Sequence, residues 1–198
     1  MRASSIAVFF WGFTLGALSV ALLVSRSSPL PPVSVAAKTA APVVDSEPQP
    51  RIGLPIAGLR AKDIQDTFHQ LRGGNRPHEA TDILAPRGTP VLAVEAGTIK
   101  KLFTSKPGGL TIYQFDPSGI YCYYYAHLDR YAPNLKEGMT VNRGDLIGYV
   151  GTTGNADPNT PHLHLAIFKL GALKRWWEGT PINPYPFLIE ALKRKTGT

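Results

Sequence analysis

Thr160-Pro161-His162-Leu163-His164-Leu165-Ala166-Ile167-Phe168 is the stretch on which the reading of this chain turns. A proline closes the loop before it, and apolar side chains then occupy every second position. In a β-strand residues i and i+2 share a face. Leu163, Leu165 and Ile167 are therefore expected in a core, and His162 and His164 together on the opposite side.

Runs of the same character recur on the N-terminal side, at residues 90–94, 98–103, 110–115, 120–126 and 146–150. Each is rich in β-branched or aromatic residues and bounded by Gly, Pro, Asn or Asp. Short strands at that spacing predict an all-β, mainly antiparallel domain, a small sandwich or barrel-like sheet. Short helices are expected only at the domain ends. Residues 61–71 read as a short helix or irregular lead-in, and 187–195, after Pro184 and Pro186, as a basic terminal helix. A faint echo links Gly88-x-x-Val91 and Gly97-x-Ile99 to Gly138-x-x-Val141 and Gly144-x-x-Ile147, hinting at two similar hairpin units.

The 198 residues divide into unlike parts. After a short tail (1–5), residues 6–24 carry no charge and approach the roughly 30 Å of a bilayer core, which predicts a transmembrane anchor or an uncleaved signal. Residues 25–55 hold seven prolines among Ala, Ser and Val and read as an extended linker. Residues 56–198 read as the one folded domain. The single cysteine, Cys122, excludes an internal disulfide framework and a Cys-based zinc cluster. A net charge of +7 suits anionic polymers or lipid surfaces, but no extended basic-and-aromatic motif points to nucleic acid.

Four of the five histidines fall in segments that make chemical sense together. His162 and His164 can share one metal across a strand face. His78 and Asp82, four apart in a turn-like segment, supply one nitrogen and one carboxylate oxygen, both donor types that zinc accepts. His127 ends the run Tyr121-Cys122-Tyr123-Tyr124-Tyr125-Ala126-His127. If that run is an unbroken strand, Tyr123, Tyr125 and His127 share a face over a tyrosine-walled groove, and Cys122 is a buried filler on the other. His69 has no partner pattern and reads as surface or local packing.

Together, His78-x-x-x-Asp82, Tyr125-Ala126-His127-Leu128, Gly151-Thr152-Thr153-Gly154 and Pro161-His162-Leu163-His164 resemble, in order and spacing, the lysostaphin/LytM-type zinc metallopeptidases of bacterial cell walls. The likeness runs over residues 56–188. It implies a small antiparallel β domain with a catalytic groove, of the duplicated hybrid motif type. It implies Zn²⁺ held by His78, Asp82 and His164, with His127 and His162 as unliganded catalytic histidines. The chain departs from the family at Ala80, Asn159-Thr160, Leu165-Ala166 and the histidine-free 110–115, all neighbours of the site, which bears on substrate preference.

Three protein ligands leave a fourth zinc position for water, the layout of a catalytic site. The resemblance thus implies an endopeptidase acting on peptidoglycan peptides, in the cell envelope. The anchor would sit in the inner membrane and the domain would face the periplasm or cell exterior. The alternative is a non-catalytic regulator that binds a partner hydrolase through the same groove.

Overall fold

The computed structural model describes residues 49–197. The apolar run 6–24 and most of the linker (25–48) lie outside the described residues; among the described residues no helix is long and apolar enough to cross a membrane. The elements are a 3-10 turn at Ala61–Asp63, then β1 (Leu71–Arg72), β2 (Arg76–Pro77), β3 (Thr81–Leu84), β4 (Pro90–Leu92), β5 (Gly97–Ser105), β6 (Gly109–Phe115), β7 (Tyr121–Tyr131), β8 (Thr140–Val141), β9 (Leu146–Val150), β10 (His162–Lys169), β11 (Thr180–Ile182) and the terminal helix α1 (Tyr185–Thr196). Residues 61–71 thus contribute a turn and the first residue of a strand, with no longer helix.

All pairings are antiparallel. The main sheet runs β11-β10-β7-β6-β5-β8, open at both ends, with β3 added to β10 and a β4–β9 pair joined through β7. The two echoed segments interlock. Val91 faces Gly148 across β4–β9, and Gly97 faces Val141 across β5–β8.

The alternation read in 162–168 holds. Leu163, Leu165 and Ile167 are fully buried, alongside Ile83, Ile99, Ile112, Leu128 and Val150. Tyr125 is buried in the same core and spends its hydroxyl fully, donating to Gln114 Oε1 (2.9 Å) and accepting the Val94 N–H (3.0 Å). Cys122 packs with Phe115 and Leu170 in a small second cluster, where burial pushes its thiol pKa far up.

The packed region begins before residue 56. Ile52 is fully buried, Gly53 N–H donates to Val94 O (2.5 Å), and Leu92 N–H donates to Pro55 O (2.8 Å). The last residues of the proline-rich stretch therefore belong to the domain and not to the linker. Proline content measures chain stiffness; Ile52, Leu54 and Ile56 supply the apolar area that burial rewards.

Candidate active site

β10 organises the site because it is paired on both sides. At His164 its partner on one side is Asp82 of β3 and on the other Ala126 of β7. Directly opposed residues on antiparallel strands share a face with Cβ atoms about 5 Å apart. The register alone thus sets an imidazole beside a carboxylate. His78 precedes β3, and the turn through Glu79 (φ 57°) folds it back onto Asp82.

The three donor atoms meet. His78 Nε2 lies 3.0 Å from Asp82 Oδ1 and 3.1 Å from His164 Nδ1, and His164 Nδ1 lies 3.1 Å from Asp82 Oδ1. A tetrahedral zinc site with bonds of about 2.0–2.1 Å needs donors roughly 3.3 Å apart, so two nitrogens and one oxygen at these separations fit that ion. Each outer atom is held as well. His78 Nδ1–H donates to Thr67 O (3.1 Å), and Asp82 Oδ2 accepts from Arg72 Nη2 (2.5 Å). Such outer contacts fix tautomer and orientation at metal sites.

Burial would raise the Asp82 carboxyl pKa, but hydrogen bonds and charge from His164 and His78 outweigh it and hold the group well below the usual carboxylate range. The His164 pKa is lowered, chiefly by burial.

His127 reaches the groove by a device that alternation does not show. Had β7 stayed regular, His127 would point with Tyr123 and Tyr125, which are buried in the core. Instead its backbone adopts φ 58° and the β6–β7 register slips, with Leu110 opposite Leu128 but Ile112 opposite Tyr125. The extra residue is a β-bulge. It turns the imidazole to the face of Tyr124 and His164, with ring centres 4.9 Å from His162 and 5.5 Å from His164. The tyrosine wall accordingly consists of Tyr124 and Tyr113, 4.6 Å apart, and not Tyr123 and Tyr125.

Two loops clamp the bulge. His127 N–H donates to Gly108 O (2.9 Å) and its Nδ1–H to Thr153 O (2.8 Å). Thr153 Oγ1 accepts from Leu110 N–H and donates to Leu128 O. A Cβ on Gly109 (φ +64°) would come within 2.1 Å of Thr153 Oγ1, and one on Gly154 (φ +79°) within 2.3 Å of Gly109 N. The Gly151-Thr152-Thr153-Gly154 motif thus keeps the backbones close enough to grip His127. His162 Nδ1–H donates to Thr160 O (2.8 Å), leaving its Nε2 3.9 Å from Asp82 Oδ1.

The groove has two lobes on either side of the triad. One, about 490 Å³, is walled by Tyr113, Tyr124, Phe168 and Trp177; the other, about 400 Å³, is polar and includes Arg72, Asn155, Asp157 and Thr160. Arg72 and the two wall tyrosines carry no motif signal in the sequence. His69 is exposed, its ring edge against Phe68.

Burial, the largest influence on His127, lowers its pKa to about 4. An unfolded imidazole protonates near ~6.5, so this contribution to stability is complete above that pH and drains as pH falls toward about 4. Thermal melts in chelator should therefore show Tm falling over that window, and falling less in His127→Gln. Equal losses in both proteins would contradict the assignment.

A family model described as Peptidase family M23 matches residues 76–184. The L-Ala–D-Glu endopeptidase of Bacillus subtilis (strain 168) is 36% identical over 121 residues, 59% of this chain and 36% of that protein. The peptidoglycan DD-endopeptidase ShyC of Vibrio cholerae is 35% identical over 107 residues, 54% of this chain and 24% of that protein. This chain therefore spans about a third or less of the length of these curated relatives. The crystallised catalytic domain of lysostaphin from Staphylococcus simulans superposes with a TM-score of 0.55 at 29% identity, covering 64% of this chain and 91% of that one. The matched residues make up more than half of the chain and contain the whole cluster of His78, Asp82, His127, His162 and His164, and on that ground the chain belongs to peptidase family M23.

Proposed function

We propose that this chain is a zinc-dependent endopeptidase that hydrolyses peptide bonds of bacterial peptidoglycan. The observation that carries the reading is the meeting of His78 Nε2, Asp82 Oδ1 and His164 Nδ1 within 3.1 Å of one another in an open groove, with two further histidines beside them. His78, Asp82 and His164 would hold the ion. Zinc, when bound, polarises the scissile carbonyl and lowers the pKa of a bound water from about 15.7 to about 7.

The chain's own groups divide the remaining work. His127, its Nδ1–H committed to Thr153 O and its pKa lowered, presents a neutral Nε2 that can take the attacking water's proton at pH 7. His162, its Nδ1–H likewise committed to Thr160 O, presents its Nε2 to the same space, and in the imidazolium form that nitrogen can donate to the oxygen that becomes anionic. Tyr124 flanks His164 at 5.8 Å between ring centres and walls one side of the substrate groove. Its phenol pKa is raised by burial, so it remains a hydrogen-bond donor at neutral pH.

The charge-free run 6–24 and the proline-rich linker support a place for the domain in the cell envelope, held to the inner membrane and facing its wall substrate. The test is release of soluble peptides from purified peptidoglycan. Release should stop in chelator and return with added zinc. Tight wall binding with no release under either condition would favour the non-catalytic regulator.

A further inference from the structure

The hairpin that leads into the site sets two arginines at directly opposed positions. β1 and β2 pair with Arg72 directly opposite Arg76, around a loop through Gly74 (φ +77°) and Asn75 (φ 58°). Like charges at directly opposed positions destabilise a pair of strands. One of the two is compensated, since Arg72 gives its Nη2 to Asp82 Oδ2 at 2.5 Å. Arg76 is exposed and makes no ion pair among the described residues, whereas Arg60, Arg72, Arg87, Arg130, Arg143, Arg175 and Arg194 each have an acidic partner.

The position of Arg76 gives this imbalance its meaning. It lines both lobes of the groove, together with His78, His127 and His164, and so overhangs the place where a scissile bond would lie. The strands beneath contribute Ala126 and Ala166, neither of them charged. Of the acids that line the groove, Asp157 in the polar lobe is already accepting the Asn159 N–H (2.8 Å), Glu178 at the aromatic end pairs with Arg175, and Glu79, in the aromatic lobe with Arg76, makes no ion pair with it. A guanidinium is a planar fork matched to a carboxylate. A substrate carboxylate here would take the place that no acid of the chain fills and would relieve the Arg72–Arg76 repulsion.

We infer that Arg76 is a specificity-determining residue that selects peptides bearing a free carboxylate next to the scissile bond over uncharged ones. This rests on the peptidase reading above and narrows its substrate class from wall peptides in general to acidic ones.

The test uses the full zinc-loaded chain and two synthetic peptides containing an L-Ala–D-Glu bond, identical except that one carries the free carboxylate and the other its amide. Both kcat/KM and peptide binding, the latter on the His127→Gln background, are measured for Arg76, Arg76→Lys and Arg76→Gln. The Arg76 protein should favour the carboxylate peptide by about tenfold, the scale of a hydrogen-bonded charge. Arg76→Gln should erase that ratio, Arg76→Lys should restore part of it, and salt should weaken it. A ratio near one in the Arg76 protein, or one unchanged in Arg76→Gln, overturns the inference. Binding preference in a protein that releases no peptide from purified peptidoglycan would uphold it while counting against the peptidase reading, and hydrolysis of both peptides at equal rates would do the reverse.

Discussion

Asp82→Ala is expected to lose zinc and with it all measurable peptide release. Asp82 Oδ1 is the atom on which His78 and His164 converge, at 3.0 and 3.1 Å, so its removal leaves two nitrogens and no anionic donor. Removing an outer-shell partner of a metal ligand already costs about 10–100-fold in affinity, and deleting a ligand should cost more. The backbone has no reason to follow, because β3 is tied to β10 through main-chain pairing of Thr81, Asp82, Ile83 and Leu84, with Ile83 fully buried. Arg72 would lose its ion pair, and with its Nε already buried without a partner it is the group most exposed to the change. Asp82→Asn, which keeps size and one oxygen but not charge, separates the two effects. It should retain the wild-type Tm in chelator more closely than Asp82→Ala while still holding zinc poorly. Metal analysis after dialysis, with chelator competition, checks both variants. Stoichiometric zinc together with normal peptide release in Asp82→Ala would remove the basis of the proposed function.

What the sequence discloses about this site follows the physics of each element. The period-two pattern of 162–168 was readable because both faces of β10 are constrained, one by the core and one by chemistry, and Leu163, Leu165 and Ile167 are buried as alternation requires. His127 defeats the same rule. One residue inserted at a bulge reverses the face of everything on one side of it, and the cause lies in Gly108, Gly109 and Thr153, far from His127 along the chain. That slip also explains why the wall tyrosines were Tyr124 and Tyr113 when alternation pointed to Tyr123 and Tyr125. Arg72 and Arg76 were invisible for another reason. Strands of two residues have no periodicity to read, and the hairpin acquires its meaning only from the Asp82 carboxylate placed beside it by β3. Ile52 was hidden by averaging, since one isoleucine among prolines barely alters composition yet occupies a fully buried position.

His127→Gln is the second large effect expected, and it should separate chemistry from metal binding. The side chain is not among the three convergent donors, so zinc should remain stoichiometric. Peptide release should nonetheless fall by about 10²–10⁴-fold, the usual contribution of a positioned proton acceptor. The fold makes a substantial commitment to this one imidazole. A histidine at φ 58° lies in the left-handed region that side chains with a Cβ seldom occupy, and it is kept there by bonds to Gly108 O and Thr153 O and by two glycines that let their loops touch. Glutamine can keep the polarity and part of the volume but cannot accept and pass on a proton near neutral pH. Because the left-handed backbone and the burial at position 127 persist in the variant, a merely structural role would lower Tm and leave kcat in proportion to folded protein. A role in proton transfer would lower kcat at unchanged zinc content. Relief of the desolvated imidazole would at the same time reduce the acid sensitivity of Tm between pH 6.5 and about 4. Retention of full turnover by a zinc-loaded His127→Gln protein would transfer the proton-accepting role to His162, the other imidazole whose Nε2 faces the site.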